Sequence, residues 1–271
     1  MAIIIISLFL YNIGIILTKR KKYRLKLPNK IKVFNLGSSH GYFAFNYENV
    51  KNGANLAQIS QTFYYDYILL ETFFNRIEDE ATCFIPISYF SFSNKIKTWR
   101  KDDMINYYKI LPLKKFKGRE KIICFIFRYL PIIWSLKKKL DKSKEKTRIE
   151  PKKRILKQVN MLKDKRTNIS IKYFYKIIKK LKDKNIRIIL ITTPFQKEYN
   201  KYFSEKLLND KFYREIELIK RKENLEYYDL SKTYKIFDKG EYFGDNDHLN
   251  KKGSKIFMKE INKILNKEIK C

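Results

Sequence analysis

The stretch NLGSSHG, residues 35–41, sets Ser38, Ser39 and His40 between two glycines. Far along the chain, DNDHLN sets Asp245 three residues before His248. These two stretches are chemically matched. A serine hydroxyl becomes a nucleophile when a neighbouring base takes its proton, and an imidazole serves as that base when a carboxylate fixes its tautomer. A short Asp-x-x-His loop supplies base and carboxylate together, leaving Ser39 as the candidate nucleophile. Two other readings of the same residues stand beside this one. Asp245, Asp247 and Asn250 are ordinary helix-start residues. His40, His248, Asp245 and Asp247 are a donor set of a kind that suits zinc or iron. No HxxxH or HEXXH spacing supports a metal, so neither a metal nor a cofactor is expected.

Strands and helices must bring residues two hundred positions apart to one place. KIKVFNLG reads as a short β-branched strand at Lys32–Leu36, ending at Gly37. A very short second strand is expected at Asn55–Ala57. QTFYYDYILLETFF places Phe63, Tyr67, Leu70 and Phe74 on one helical face. On that pattern Asp66 and Glu71 are solvated or helix-start charges. TCFIPISYF is a continuous apolar run suited to a fully buried parallel strand, with Cys83 in the core. Residues 168–185 form an amphipathic helix, with Ile171, Phe174, Ile177, Ile178 and Leu181 inward. IRIILITTPF is the clearest strand. A charged helical stretch, the strand LEYYDLS and a final helix with Phe257, Ile261, Ile264 and Leu265 inward complete the series.

Strand and helix alternate throughout. The expected fold is therefore a three-layer α/β/α domain over residues 30–271, with a flavodoxin-like, mainly parallel five-stranded sheet. Open parallel sheets bind ligands beyond the carboxyl ends of their strands. The segment after each strand is polar: GSSHG, then Ser60 and Gln61, then Ser88, then Thr192 and Thr193, then the DNDHLN loop. His40 and His248 are thereby expected at one rim.

The chain carries 60 Lys and Arg against 28 Asp and Glu, a formal net charge of +32. The lysines are spread along the chain instead of gathered in a stripe, and aromatic-flanked basic motifs are missing, so nucleic acid is not an expected partner. Three cysteines form neither a disulfide framework nor a zinc spacing. Ala2–Leu17 is an uncharged apolar run followed by TKRKKYR. It reads as an uncleaved N-terminal membrane anchor over residues 1–18, with the side of the membrane left open by the lysine-rich background. Residues 95–168 break the alternation and read as a basic helical insertion. Its apolar island IICFIFRYLPIIW is a helix packed on the core, an active-site lid or an interfacial membrane contact.

The two chemical stretches also resemble a known family. NLGSSHG is similar to the Gly-Asp-Ser block of the SGNH/GDSL hydrolase superfamily, with Ser38 in the aspartate's place. DNDHLNKKG resembles its C-terminal Asp-x-x-His block. The Gly-Ser-Ser form and the N-terminal anchor look most like the membrane-linked branch, which includes proteins of teichoic-acid D-alanylation and exopolysaccharide O-acetylation. The resemblance implies Ser39 as nucleophile, His248 as base and Asp245 as its orienting carboxylate. It implies an oxyanion hole from the backbone N–H of Ser39, from Ser60 where the family has glycine, and from Ser88 where it has asparagine. His40 and Asn55 are candidate substrate contacts. The expected activity is that of a serine esterase or O-acyltransferase in the bacterial cell envelope, acting on acylated polysaccharide. The alternative is a catalytically silent domain that binds a glycan or a partner of an envelope biosynthesis complex, motivated by the altered middle blocks.

Overall fold

The computed structural model describes residues 6–7, 10–11, 13–16, 27–93, 104–135, 150–164, 168–237 and 240–266. Chain contacts divide it into two units: Leu27–Trp99 with Ile149–Cys271, and Met1–Lys26 with Arg100–Arg148.

The first unit holds the sheet. In chain order its strands and main helices are β1 Ile31–Asn35, α1 Ser39–Ala44, β2 Gly53–Asn55, α2 Phe63–Phe73 and β3 Ile77–Pro86. Helices α3 Met104–Ile110 and α4 Gly118–Tyr129 belong to the other unit. The sheet unit resumes with α5 Pro151–Lys163, α6 Asn168–Lys182, β4 Arg187–Thr192, α7 Arg214–Glu223, β5 Glu226–Asp229 and α8 Lys251–Asn266. All strand pairs are parallel, in the order β2-β1-β3-β4-β5. That is the flavodoxin-like order expected from the strand–helix alternation.

Burial explains the layering. Successive residues of a strand face opposite sides. On β4, Ile188 and Leu190 join a core built with Leu70 of α2, Ile155 of α5, Phe174 of α6 and Ile216 of α7. Ile189 and Ile191 join a second core with Ala44 of α1 and Phe257, Ile261 and Ile264 of α8. A stretch covered on both faces needs apolar residues at successive positions, which is why Cys83–Pro86 of β3 and Ile188–Ile191 of β4 read as continuous apolar runs. Phe63 and Leu70 of the expected inward face are fully buried, and Tyr67, with Phe74 just past the end of α2, is partly buried against the same core. Tyr65, Asp66 and Leu69 are fully buried as well, so the inward face of α2 is wider than the expected stripe, and Asp66 lies on it.

In the second unit, α3 and α4 are linked by Arg128, whose Nε donates to the Tyr108 carbonyl at 2.6 Å. Tyr108 stacks edge-on against Phe116, and Phe127 against Trp134. The apolar island is therefore helical, with Cys124 and Phe127 buried.

One expectation lies largely outside the described residues, and one needs correction. Much of the run Ala2–Leu17 lies outside the described residues, and no helix among the described ones is long and apolar enough to cross a membrane. The insertion was expected to reach residue 168, but α5 belongs with the sheet. The basic run between Ser135 and Glu150 lies outside the described residues.

Candidate active site

β1 delivers the serine. Its chain leaves the sheet through Gly37, whose φ of +108° lies in the region that favours glycine. A Cβ there would also meet the Pro86 ring at 3.0 Å. This turn starts α1, so Ser39 occupies the helix's first position and Ser38 its N-cap. The loop between β5 and α8 delivers the second part. Phe243 and Leu249 pair across it, and the Gly244 N–H donates to the His248 carbonyl at 2.9 Å. This narrow hairpin holds Asp245 and His248 side by side.

The two parts meet. Ser39 Oγ lies 2.7 Å from His248 Nε2. His248 Nδ1 lies 2.9 Å from both carboxylate oxygens of Asp245. With a carboxylate at Nδ1, that nitrogen carries the proton, and the bare Nε2 accepts the hydrogen bond from the serine hydroxyl. Asp245 Oδ1 also accepts the backbone N–H groups of Asp247, at 3.2 Å, and His248, at 3.0 Å. Burial pushes the Asp245 carboxyl up, but hydrogen bonds from His248 and Arg154 outweigh it and hold it well below the usual carboxylate range.

His40 sits behind this row. Its ring stacks on that of His248 with centroids 5.0 Å apart and planes at 24°. His40 Nε2 lies 3.2 Å from Asp247 Oδ2. Burial lowers its pKa against the pull of that hydrogen bond, so the imidazole is neutral near pH 7, with Nε2–H donating to the carboxylate. At 4% exposure His40 is wedged between its neighbours instead of facing incoming substrate. Phe43, one turn beyond Ser39, packs its ring 5.2 Å from that of His248.

Two residues unmarked in the sequence complete the network. Arg154 Nη1 donates to Asp245 Oδ2 at 2.9 Å, and its Nη2 donates to Asp247 Oδ1. Gln158, one turn along α5, donates to Asp247 Oδ2 at 3.1 Å. Arg154 ends the charged run 137–154, which reads as solvated surface. Only its spacing of four from Gln158, flanking buried Ile155 and Val159, marks a polar pair on a helix face that packs inward.

No family model and no curated protein matches this chain. Solved structures of similar shape do exist. One is described as a platelet activating factor from Streptococcus pneumonia, with 14% identity, 98% of this chain and 99% of that chain covered, and a TM-score of 0.43. Another is described as an acylhydrolase from Bacteroides fragilis, with 11% identity, 90% and 92% covered, and a TM-score of 0.45.

The remaining predicted residues are placed unevenly. Ser60 lies in the loop after β2, which runs beside the serine turn: Gln58 N–H donates to the Gly37 carbonyl at 3.3 Å. Its φ of +62° is left-handed, the backbone state expected where a family has glycine. Ser88 is buried, with its N–H donating to Ser91 Oγ at 2.8 Å and its hydroxyl 2.9 Å from the same atom. It is committed to Ser91. Asn55 is likewise committed. Its Nδ2 donates to the Phe45 carbonyl at 2.8 Å, and its Oδ1 accepts from Ala57 N–H and from Asn35. It ties the end of α1 to β2, a scaffold role in place of a substrate contact.

Among the described residues, one group gathers metal-ligating side chains, His40, Asp247 and His248, with donor atoms within 4.8 Å. It does not fit a cation. Both oxygens of Asp247 are taken, one by the Arg154 guanidinium and the other by Gln158 and His40.

Asp66 lies in the first turn of α2, one of its two expected places, but it is not solvated. It is 1% exposed, and its Oδ1 accepts the Gly37 N–H and Gln61 Nε2, each at 2.6 Å. It thus braces the serine turn against α2. Burial raises its pKa to about 7 despite those hydrogen bonds. The folded protein then holds a proton that the unfolded chain releases near pH 4. The associated stability is complete below about pH 4 and is lost as pH rises to about 7, on the order of 4 kcal/mol at most. Asp66→Asn keeps the acceptor oxygen without the charge. Denaturant unfolding at pH 5 and pH 8 should show a smaller difference for Asp66→Asn than for the parent. An unchanged difference would remove Asp66 as its source.

Proposed function

We propose that the protein is an SGNH-like serine esterase or O-acyltransferase. The observation that carries this reading is the 2.7 Å contact between Ser39 Oγ and His248 Nε2, with Asp245 on the far nitrogen. Ser39 Oγ attacks the acyl carbonyl while His248 Nε2 takes the hydroxyl proton. The developing imidazolium is stabilised by Asp245. The tetrahedral oxyanion is met by the backbone N–H of Ser39 at the start of α1, with Ser60 on the adjoining loop as second donor. His248 then returns the proton to the leaving alkoxide, and the acyl group remains on Ser39. Water, or the hydroxyl of an acceptor, gives up its proton to His248 and bonds to the acyl carbonyl; the bond to Ser39 Oγ then breaks as His248 returns that proton to the serine. Hydrolysis and transfer differ only in that last nucleophile.

The substrate class proposed is an acyl ester of cell-envelope polysaccharide. The uncharged run Ala2–Leu17 and the basic residues after it support attachment to the envelope membrane.

Fluorophosphonate labelling of the full-length protein, with turnover of acetyl esters, tests the reading. Labelling of Ser39 and turnover are expected, and both are lost in Ser39→Ala. Labelling that persists in Ser39→Ala, or no labelling and no turnover of any ester, would sink the esterase reading and favour a binding domain.

A further inference from the structure

Asp245 and Asp247 are two residues apart on one hairpin. Asp245 meets His248 Nδ1 at 2.9 Å, while Asp247 meets His40 Nε2 at 3.2 Å and stands farther from His248 Nδ1, at 3.5 Å. The two imidazoles are themselves stacked. Two carboxylates this close repel each other unless a cation lies between them. Arg154 supplies it, with one nitrogen on each carboxylate. Its planar fork suits this task in a way a lysine ammonium does not, because the two donors leave in fixed directions.

We infer that Arg154 is a positioning residue for the Ser39–His248 pair, joining the carboxylate behind His248 to the carboxylate behind His40 so that both stacked rings move as one unit. The inference rests on the esterase reading of Ser39.

Three features support the role. Asp247 is wholly buried and receives Gln158 from the same face of α5, so the helix offers a built cradle and not a chance contact. The Nδ1 of His40 is buried without a hydrogen bond, so Asp247 holds the ring's polar contact, while His248 stacks on it and Phe90 and Phe195 meet it edge-on. Asp245, by contrast, keeps a side chain 38% exposed on the hairpin: backbone N–H groups hold its Oδ1, and Oδ2 has no backbone donor to fix the tilt of the carboxylate. Arg154 holds that oxygen from outside the hairpin, ninety-one residues away in sequence. It touches the carboxylate and not the reacting atoms.

The role predicts a loss in chemistry without a matching loss in binding. In the full-length protein, Arg154→Ala should lower kcat on an acetyl ester by about a hundredfold, since an angstrom-scale misplacement of a reacting group costs that much. KM should stay within about twofold. Guanidinium ion added to Arg154→Ala should recover at least about tenfold of the loss, by occupying the same fork. Arg154→Lys keeps the charge but reaches one carboxylate at a time, so it should still be down by about tenfold. If Arg154→Ala does not fold, Arg154→Lys decides. A variant within threefold of the parent in kcat, or one in which KM rises and kcat holds, would overturn the role. Nitrogen-15 spectra of the two histidines separate this from failure of the esterase reading. The Nδ1–H of His248 should be visible in the parent and lost or shifted in Arg154→Lys, whatever ester is or is not turned over. Unchanged histidine spectra would refute the positioning role even if no substrate is found.

Discussion

Asp245→Asn should lower kcat on an acetyl ester by about ten-thousandfold, with fluorophosphonate labelling slowed in step. The reason lies in what Asp245 accepts. One oxygen takes two backbone N–H groups and the imidazole Nδ1–H, and the other takes Arg154 and the same ring nitrogen. Every partner is a donor. An asparagine has one acceptor oxygen and must turn its NH2 toward a donor. If the amide faces the ring, Nδ1 must become the acceptor, and the proton moves to Nε2. His248 can then no longer accept the Ser39 hydroxyl proton. If the amide faces Arg154 instead, two donors oppose each other beside the hairpin. Steady-state kinetics and labelling rates decide it. A loss under tenfold in both would mean that Asp245 does not set the tautomer of His248.

Gly253→Ala should destabilise the fold by about 3 kcal/mol, the upper end of what overpacking costs. A Cβ at Gly253 would lie 2.1 Å from the Tyr242 carbonyl oxygen and 3.0 Å from Leu249 Cδ2. The first neighbour is backbone, so it cannot rotate aside. The same segment is pinned from other directions, because Asn250 N–H donates to the Tyr242 carbonyl and Asn250 Nδ2 donates to the Phe243 carbonyl. The start of α8 and the base of the Asp245–His248 hairpin are therefore locked together, and relief of the clash displaces both. Thermal unfolding should show a fall of roughly 6–12 °C in Tm. A Tm within 2 °C of the parent would show that the helix start can shift at little cost.

The sequence carried different features to different depths. Strand–helix alternation and the apolar runs at Cys83–Pro86 of β3 and Ile188–Ile191 of β4 are local, and a stretch covered on both faces favours such a run. The topology that follows brought His248 to the serine turn, and the structure has the pair in contact. Asp66 starts a helix as expected, but its burial was not legible, because the apolar residues around it, Phe63, Tyr67, Leu70 and Phe74, already make a plausible stripe without it. Nothing nearby in sequence reveals that its carboxyl accepts Gly37 N–H twenty-nine residues earlier. Arg154 was not singled out, for a similar reason. Among so many lysines and arginines, one half-buried guanidinium has the same local context as its neighbours in the chain.

Asn55 and Ser88 show the limit from the other side. Both are polar residues at strand ends, where the topology puts ligands. Both spend their donors inside the protein, on Phe45 and on Ser91. Position along a strand says which edge a side chain reaches. It does not say which partner takes it first.

By itself, then, the sequence determined the layered α/β fold, the turn that raises Ser39 and the hairpin that pairs Asp245 with His248, because each depends on spacing within a few residues. Only the tertiary structure decided how the four charged and aromatic groups around them divide. In DNDH either aspartate is close enough in sequence to serve the base. Asp245 takes His248 and Asp247 takes His40, with Arg154 of α5 between the two carboxylates. That division is set by contacts spanning ninety to two hundred residues, where the choice rests on which buried charge finds its counterion once the helices have packed.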